Sequence, residues 1–341
     1  MSKKVAINGF GRIGRMCFRK LIMDDVHEVV AINASYPAET IRHLIKYDSV
    51  HGKFNHDIEI IDENHLSVCE KEIELVRERN PQKLPWERLN VDIVIEATGK
   101  FRSKETAGDH LLAGAKKVII TAPGENEDIT IVMGVNDEAY DPLCHHVISN
   151  ASCTTNCLAP VVKVLDDQFG IQNGLVTTVH AFTNDQHSLD NPHKDLRRSR
   201  SCTTSIIPTT TGAAKAISLV LPHLKGKLNG TSLRVPTPDV SLVDLVATLN
   251  CEVSQEEVNT AFKVASETDY KGILAYTDEP LVSVDFTTNS HSAIIDGLST
   301  MVILKKQVKV LAWYDNEWGY ACRVVDLLEL VATKMSKEYV R

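Results

Sequence analysis

The sequence predicts an α/β protein: a doubly wound, mostly parallel sheet, plus an α+β domain with a mixed or antiparallel sheet. Three observations predict it. Short apolar strands alternate with helical runs from Lys4 to Met133. A glycine-rich turn follows the first strand. Later, β-branched stretches succeed one another with little helix between some of them.

Lys4 to Asn8 is the first strand, followed by Gly9-Phe10-Gly11-Arg12-Ile13-Gly14. An amphipathic run with Ile13, Cys17, Leu21 and Ile22 on one face leads to a second strand, Val29 to Ile32. This is a Rossmann-type βαβ unit. Gly9, Gly11 and Gly14 let the backbone approach a pyrophosphate at the helix N-terminus, beside the amides of Arg12 and Ile13. The fingerprint expects an acid about 20 residues on, to hold the ribose 2′-OH of NAD. The second strand ends instead in Asn33-Ala34-Ser35, and Glu39 comes later, in the helix opened by Pro37. Losing the acid removes repulsion against a 2′-phosphate, and Asn33 and Ser35 can donate to it. The expected cofactor is therefore NADP in preference to NAD. If backbone contacts replace the acid, NAD still binds.

The alternation continues through strands at Glu72–Val76, Val91–Ala97, Lys117–Ile120 and Ile131–Met133, with a helical run from Ser103 to Ala113. Ala97-Thr98-Gly99, Thr121-Ala122-Pro123 and the Arg79 region fall at the strand ends that form a ligand crevice, or are only turns. After the strand His146-Val147-Ile148 comes Ser149-Asn150-Ala151-Ser152-Cys153-Thr154-Thr155-Asn156-Cys157. Ser149, Asn150 and Ser152 are good N-caps, which places the helix start near Ser152. Cys153 then lies in the first turn, where unpaired N–H groups and the helix dipole favour a nucleophilic thiolate. Cys157, one turn deeper and ahead of an apolar run, reads as a buried structural thiol.

Gly174 to Phe182 is β-rich and carries His180 at its end, before Thr183-Asn184-Asp185-Gln186. A histidine suits proton transfer near neutral pH, but His180 is one of thirteen. Pro192 to Arg200 is a basic cluster, either a solvated loop or subunit contact, or a phosphate site. Thr209-Thr210-Thr211-Gly212-Ala213-Ala214-Lys215 is either a phosphate-cradling helix start or plain capping. Arg234 stands in an apolar stretch and needs a partner or an anion. Together these suggest a substrate with one or two phosphate-like groups. Strands follow at Ser241–Leu249, Leu281–Phe286 and Val308–Tyr314, with helices at Glu256–Ala265 and Ala321–Met335. The expected division is a dinucleotide-binding domain over 1–151, a catalytic domain over 152–316, and a C-terminal helix over 317–341 returning to the first domain.

A length of 341 residues suits two domains, and 43% apolar with 24% charged residues is globular composition. The net charge of −8 argues against a nucleic-acid or membrane-surface binder. No apolar run has membrane-spanning length, and the N-terminus lacks signal-peptide features. The eight cysteines are scattered, which fits a reducing cytoplasm, and their spacings suggest no metal site.

Read together, Ile7 to Arg15, Ser149 to Asn156, His180 with Thr183 to Gln186, Pro192 to Arg198, Thr211 to Lys215 and Trp313 to Tyr320 resemble the phosphorylating glyceraldehyde-3-phosphate dehydrogenases over essentially the whole chain. The resemblance implies Cys153 as the catalytic cysteine and His180 as its base. It implies substrate-phosphate contacts at Thr183, Arg198 and Arg234, and inorganic-phosphate contacts at Ser152, Thr154, Thr211 and Gly212. It further implies cofactor contacts at Arg12, Ile13, Arg79 and Thr121, with Asn316 holding the nicotinamide carboxamide. Family members are usually homotetramers, in which the loop over about 182–207 reaches a neighbour's cofactor site. Two departures stand out: Ala34 replaces the Asp of NAD-specific members, and Asn191 replaces a frequent leucine. They make the chain resemble the NADP-preferring, gluconeogenic bacterial branch. The rival enzyme family, erythrose-4-phosphate dehydrogenase, tends to lose Thr183 and the Thr211-Gly212 pair, both kept here. A cofactor-binding regulator or an RNA-binding protein is the rival of another class, disfavoured because Cys153, His180 and the phosphate contacts occur together.

Overall fold

The computed structural model of the chain describes residues 2–338. The backbone gathers into two compact units: Met1–Ile131 with Asp137–Ala151 and Ala321–Arg341, and Val132–Asn136 with Ser152–Tyr320. No helix of the described residues is long and apolar enough to cross a membrane.

The first unit contains, in chain order, β1 (Lys4–Asn8), α1 (Arg12–Asp24), β2 (Glu28–Asn33), α2 (Ala38–Lys46), β3 (Ile58–Asp62), β4 (His65–Val68) and β5 (Lys71–Val76). There follow α3 (Trp86–Leu89), β6 (Ile93–Glu96), α4 (Lys104–Ala107), α5 (Asp109–Leu112), β7 (Lys117–Ile120), β8 (Ile129–Thr130) and β9 (Val147–Ser149). Among the described residues these strands form one sheet in the order β3-β4-β5-β2-β1-β6-β7-β9-β8. Every pairing from β5 to β8 is parallel, and β3, β4 and β5 pair antiparallel. The apolar runs of β1, β6 and β7 are buried throughout their centres, as strands covered on both faces should be. The order reverses at β1, between β2 and β6, which is where such sheets open a ligand crevice.

Two expectations shift here. The run 103–113 is two short helices, α4 capped by Ser103 and α5 starting after Gly108. The strand expected over Ile131–Met133 lies earlier, at Ile129–Thr130; the Val132 N–H turns onto Asn136 Oδ1 at 2.9 Å and leaves the ladder.

The three glycines differ in what surrounds them. Gly9 has φ +93°, and a Cβ there would stand 2.6 Å from Thr98 N. At Gly14 a Cβ would stand 2.1 Å from Gly9 O, while at Gly11 nothing lies within 4 Å. Gly9 thus makes the turn, Gly14 lets α1 press on the strand end, and Gly11 leaves open room for a ligand against the backbone. Gly14→Ala should cost about 2 kcal/mol of stability by overpacking, whereas Gly11→Ala should leave stability nearly unchanged and weaken dinucleotide binding. Urea denaturation and cofactor titration would check both effects.

Beneath the crevice lies a buried hydrogen-bond chain. Trp86 Nε1 donates to His110 Nδ1 at 3.0 Å, so His110 Nε2 carries the proton and faces Glu96 Oε2 at 3.0 Å. Asn8 Nδ2 also donates to that carboxylate, and Asn33 Nδ2 donates to Asn8 Oδ1 at 2.6 Å. The ends of β1, β2 and β6 are tied together by side chains as well as by the ladder.

The second unit contains α6 (Cys153–Phe169), β10 (Ile171–Ala181), β11 (Ile207–Thr210), α7 (Ala213–Val220), β12 (Leu228–Val235) and β13 (Ser241–Leu249). It continues with α8 (Gln255–Glu267), β14 (Leu274–Thr277), β15 (Ala293–Asp296), β16 (Met301–Ile303) and β17 (Gln307–Tyr314). The sheet order is β11-β12-β10-β13-β17-β15-β14, with β16 on β17. β10 pairs parallel with β12, and β14 with β15; the other pairs are antiparallel, so the sheet is mixed. Val243, Leu245, Ala247 and Leu249 alternate inward along β13.

The strand expected over Leu281–Phe286 is absent. Ser283–Phe286 is a 3₁₀ turn in which Asp285 accepts the Val282 N–H at 2.8 Å. Phe286 alone of that turn is buried, stacked on Trp313, while Val282 and Val284 are exposed. The β-branched residues mislead because the Asp285 carboxylate, on the Val282 N–H, closes a turn here in place of a ladder. The last helix, α9 (Trp318–Glu338), starts three residues before expectation because Asp315 Oδ1 accepts the N–H groups of Glu317 and Trp318. From Ala321 it belongs to the first unit, where Val324, Leu327, Leu328 and Val331 are buried.

Candidate active site

Ser152 has extended backbone and caps α6, its Oγ accepting the Thr155 N–H at 3.1 Å. Cys153 is therefore the first residue of a 17-residue helix. His180 is the penultimate residue of β10 and only 4% exposed. The two meet: Cys153 Sγ lies 3.4 Å from His180 Nε2.

Two groups face the other ring nitrogen. Ala181 O, which only accepts, is 2.7 Å from Nδ1, and Arg234 Nη1, which only donates, is 2.8 Å from it. The first neighbour fits an imidazole whose Nε2 is free to take the thiol proton. The second fits one whose Nε2–H faces a thiolate. Arg234 reaches this place because β12 lies parallel to β10, with His180 paired to Arg234. Its Nε is buried with no hydrogen-bond partner among the described residues, so the guanidinium keeps a donor for an anion.

Burial and then the charges of Arg234 and Arg198 lower the His180 pKa from its ordinary 6.5 to about 3, so the ring is neutral near pH 7. Burial also pushes the Cys153 thiol up, against the downward pull of Arg234 and of the Thr154 and Cys153 N–H groups. The first-turn N–H groups thus pull the thiol down, but desolvation outweighs them. Cys157 is fully buried, with Sγ 3.8 Å from Ala312 O, and its thiol is held well above the ordinary range by desolvation.

Arg198 donates to Thr209 Oγ1 at 2.9 Å and to Asp185, and Thr209 in turn donates to Asp195 at 2.7 Å. This places the basic cluster against β11, beside the β12 strand that carries Arg234. Thr183 is half-buried, in the turn closed by the Gln186 N–H onto its carbonyl. Thr211 Oγ1 accepts the Ala213 N–H at 3.2 Å. Gly212 caps α7 through its backbone alone and has open space where a side chain would be. The Thr154 hydroxyl meets Tyr314 OH at 2.8 Å, and Tyr314 OH also meets Thr178 Oγ1 at 3.0 Å. The Tyr314 ring stands edge-on to His180. The stretch Trp313 to Tyr320 stands out in the sequence, but no site role for Tyr314 can be read from it, since that role comes from register across three elements.

In the first unit, open space over Gly11 and the first-turn amides of α1 fit a pyrophosphate. The Arg12 side chain is gripped by both oxygens of Asp48, so only its backbone is offered. Burial would raise the Asp48 carboxyl, yet Arg12 and the His51 and Val50 N–H groups hold it well below the usual range. Asn33 differs from expectation: its Nδ2 donates to Asn8 Oδ1 and Glu78 O, and its Oδ1 accepts the Glu78 N–H. Its carboxamide is committed to holding strand ends, so it has no donor left for a ribose phosphate. Ala34 is buried with its N–H on Val76 O, whereas Ser35 and Arg79 are exposed. Thr121 Oγ1 donates to Glu96 O at 3.1 Å. In the second unit, Asn316 Oδ1 accepts from Ser241 Oγ at 2.6 Å.

Comparison with known proteins agrees with this geometry. Residues 3–104 match the family model "Glyceraldehyde 3-phosphate dehydrogenase, NAD binding domain", and residues 152–316 match "Glyceraldehyde 3-phosphate dehydrogenase, C-terminal domain". The chain is 65% identical over 335 residues to glyceraldehyde-3-phosphate dehydrogenase 2 of Bacillus subtilis (strain 168), covering 98% of each. It is 61% identical over 334 residues to glyceraldehyde-3-phosphate dehydrogenase of Geobacillus stearothermophilus, covering 98% of this chain and 99% of that one. With the second such protein of Staphylococcus aureus (strain MRSA252) the identity is 58% over 342 residues, covering 100% and 99%. Matching models for both halves, relatives aligned over 98% of the chain and a cysteine–histidine pair beside a half-buried arginine agree: the chain belongs to the glyceraldehyde-3-phosphate dehydrogenase family.

Proposed function

We propose that the protein catalyses the phosphorylating oxidation of D-glyceraldehyde 3-phosphate to 1,3-bisphosphoglycerate, and the reverse, with NADP preferred over NAD. The observation that carries this reading is the 3.4 Å approach of Cys153 Sγ to His180 Nε2 in a chain of this family. Cys153 attacks the aldehyde carbon while Nε2 takes the thiol proton and delivers it to the forming hydroxyl. Nε2 then removes that hydroxyl proton as the carbon is oxidised, leaving a thioester on Cys153. Bound nicotinamide supplies the hydride acceptor, with Asn316 at its carboxamide. Inorganic phosphate adds to the thioester carbonyl, the carbon–sulfur bond breaks, and Cys153 is restored with one proton released to solvent. Arg234, Arg198 and Thr183 would hold the substrate phosphate, and Ser152, Thr154, Thr211 and Gly212 the attacking phosphate. Burial chiefly keeps His180 from protonating, and an anion on Arg234 would offset the arginine charge that adds to it.

The NADP preference rests on Ala34, where no carboxylate opposes a 2′-phosphate, with Ser35 as the exposed donor. The neighbouring acid, Glu78, is bonded to the Asn80 N–H at 2.8 Å. Steady-state assays with both cofactors and both aldehyde phosphates test the reading. Wild type should show the higher kcat/KM with NADP, and Ala34→Asp should lower NADP use at least about 30-fold, like charges in contact costing several kcal/mol. A wild type that strongly favours NAD would overturn the cofactor assignment. We also assign a cytoplasmic homotetramer working in the gluconeogenic direction, and light scattering of the purified protein checks the assembly.

A further inference from the structure

The end of β10 does more than present His180. The Ala181 N–H donates to Ser241 Oγ at 3.0 Å, and Ser241 Oγ donates to Asn316 Oδ1 at 2.6 Å. All three groups are buried. A backbone N–H only donates, so Oγ accepts it. The Ser241 hydroxyl proton goes to Asn316 Oδ1, which leaves Nδ2 turned away. Nδ2 has no hydrogen-bond partner among the described residues. The carboxamide thus presents a donor, which is what the carbonyl of a nicotinamide carboxamide needs. The same Ala181 holds, through its carbonyl, His180 Nδ1 at 2.7 Å and Arg234 Nη1 at 3.0 Å. One residue therefore joins the base, the arginine and the amide.

We propose that Ser241 is a positioning residue, whose hydroxyl fixes which end of the Asn316 carboxamide meets the nicotinamide and ties it to the strand carrying His180. The placement follows from register: Ser241 opens β13, opposite Tyr314 at the end of β17, two residues before Asn316. The inference rests on Asn316 as the nicotinamide partner. Without the hydroxyl, the carboxamide can turn over and offer an acceptor where a donor is needed.

A double-mutant cycle tests it, with Ser241→Ala, Asn316→Ala and both together, read by kcat/KM for cofactor and by fluorescence titration with NADPH. Ser241→Ala should lower kcat/KM for NADP about 10-fold and weaken NADPH binding, the loss of one oriented hydrogen bond, while the aldehyde KM stays put. In the Asn316→Ala background the same change should cost less than about 2-fold. Equal costs in both backgrounds would overturn the relay, because a merely structural serine acts independently of Asn316. Ser241→Cys, of nearly the same shape with a weak donor, carries the cycle if the alanine variant does not fold. The titration needs no turnover. Coupling in binding without phosphorylating activity would overturn the proposed reaction alone, and activity without coupling would overturn the relay alone.

Discussion

Cys153→Ser is expected to lose phosphorylating dehydrogenase activity by at least about 10⁴-fold, as removal of a covalent nucleophile does. Fold and cofactor binding should be kept. The reason is local. Cys153 sits in the first turn of α6, half-buried, with its sulfur directed at His180 and its thiol under the influence of Arg234. A serine hydroxyl at the same place titrates far above a thiol, His180 with its pKa lowered to about 3 is a poor base for it, and an oxygen ester transfers its acyl group to phosphate less readily than a thioester. Initial rates with saturating aldehyde, cofactor and phosphate check this, alongside NADPH titration of the variant. A serine variant with wild-type turnover would place the nucleophile elsewhere.

His180→Asn should lower kcat/KM about 10³-fold, within the usual range for a positioned general base, and should slow iodoacetamide labelling of Cys153. Its second signature is in stability. Folded His180 protonates only near pH 3, whereas in the unfolded chain it does so near its ordinary 6.5. Between those values the unfolded state binds more protons, so stability falls as pH drops through the window and the contribution is complete above it. Replacing His180 should flatten the acid side of the stability profile between about pH 6 and 4. Urea midpoints across that range measure it. An unchanged slope would mean that the imidazole is not held neutral by burial.

Chemistry that stays within a few residues was legible before any coordinates. Ser152 could be read as a cap and Cys153 as a first-turn thiol because capping depends on the next three residues alone. The βαβ unit and its crevice followed from periodicity and from the three glycines, whose separate roles appear in what a Cβ would strike. Chemistry that depends on register was not legible. His180 was one histidine among thirteen until β10 placed it against α6. No site role could be read for Tyr314, Ser241 or Asp48, because Tyr314 and Ser241 act through partners 60 or more residues away and Asp48 through Arg12, 36 residues away. Asn33 shows the reverse error: a donor by composition proved to be occupied by Asn8 and Glu78. The segment 281–286 shows that β-branched residues alone do not make a strand where a side chain such as Asp285 closes a turn.

The central claim is that oxidation leaves an acyl group on Cys153. The direct measurement is peptide mass spectrometry after incubating the protein with glyceraldehyde 3-phosphate and NADP in phosphate-free buffer, then quenching in acid. The expected result is a 3-phosphoglyceroyl thioester on the peptide containing Cys153, discharged when inorganic phosphate is added before the quench. An enzyme that turns over with no acyl group on that peptide, or with the group on another cysteine, would contradict it.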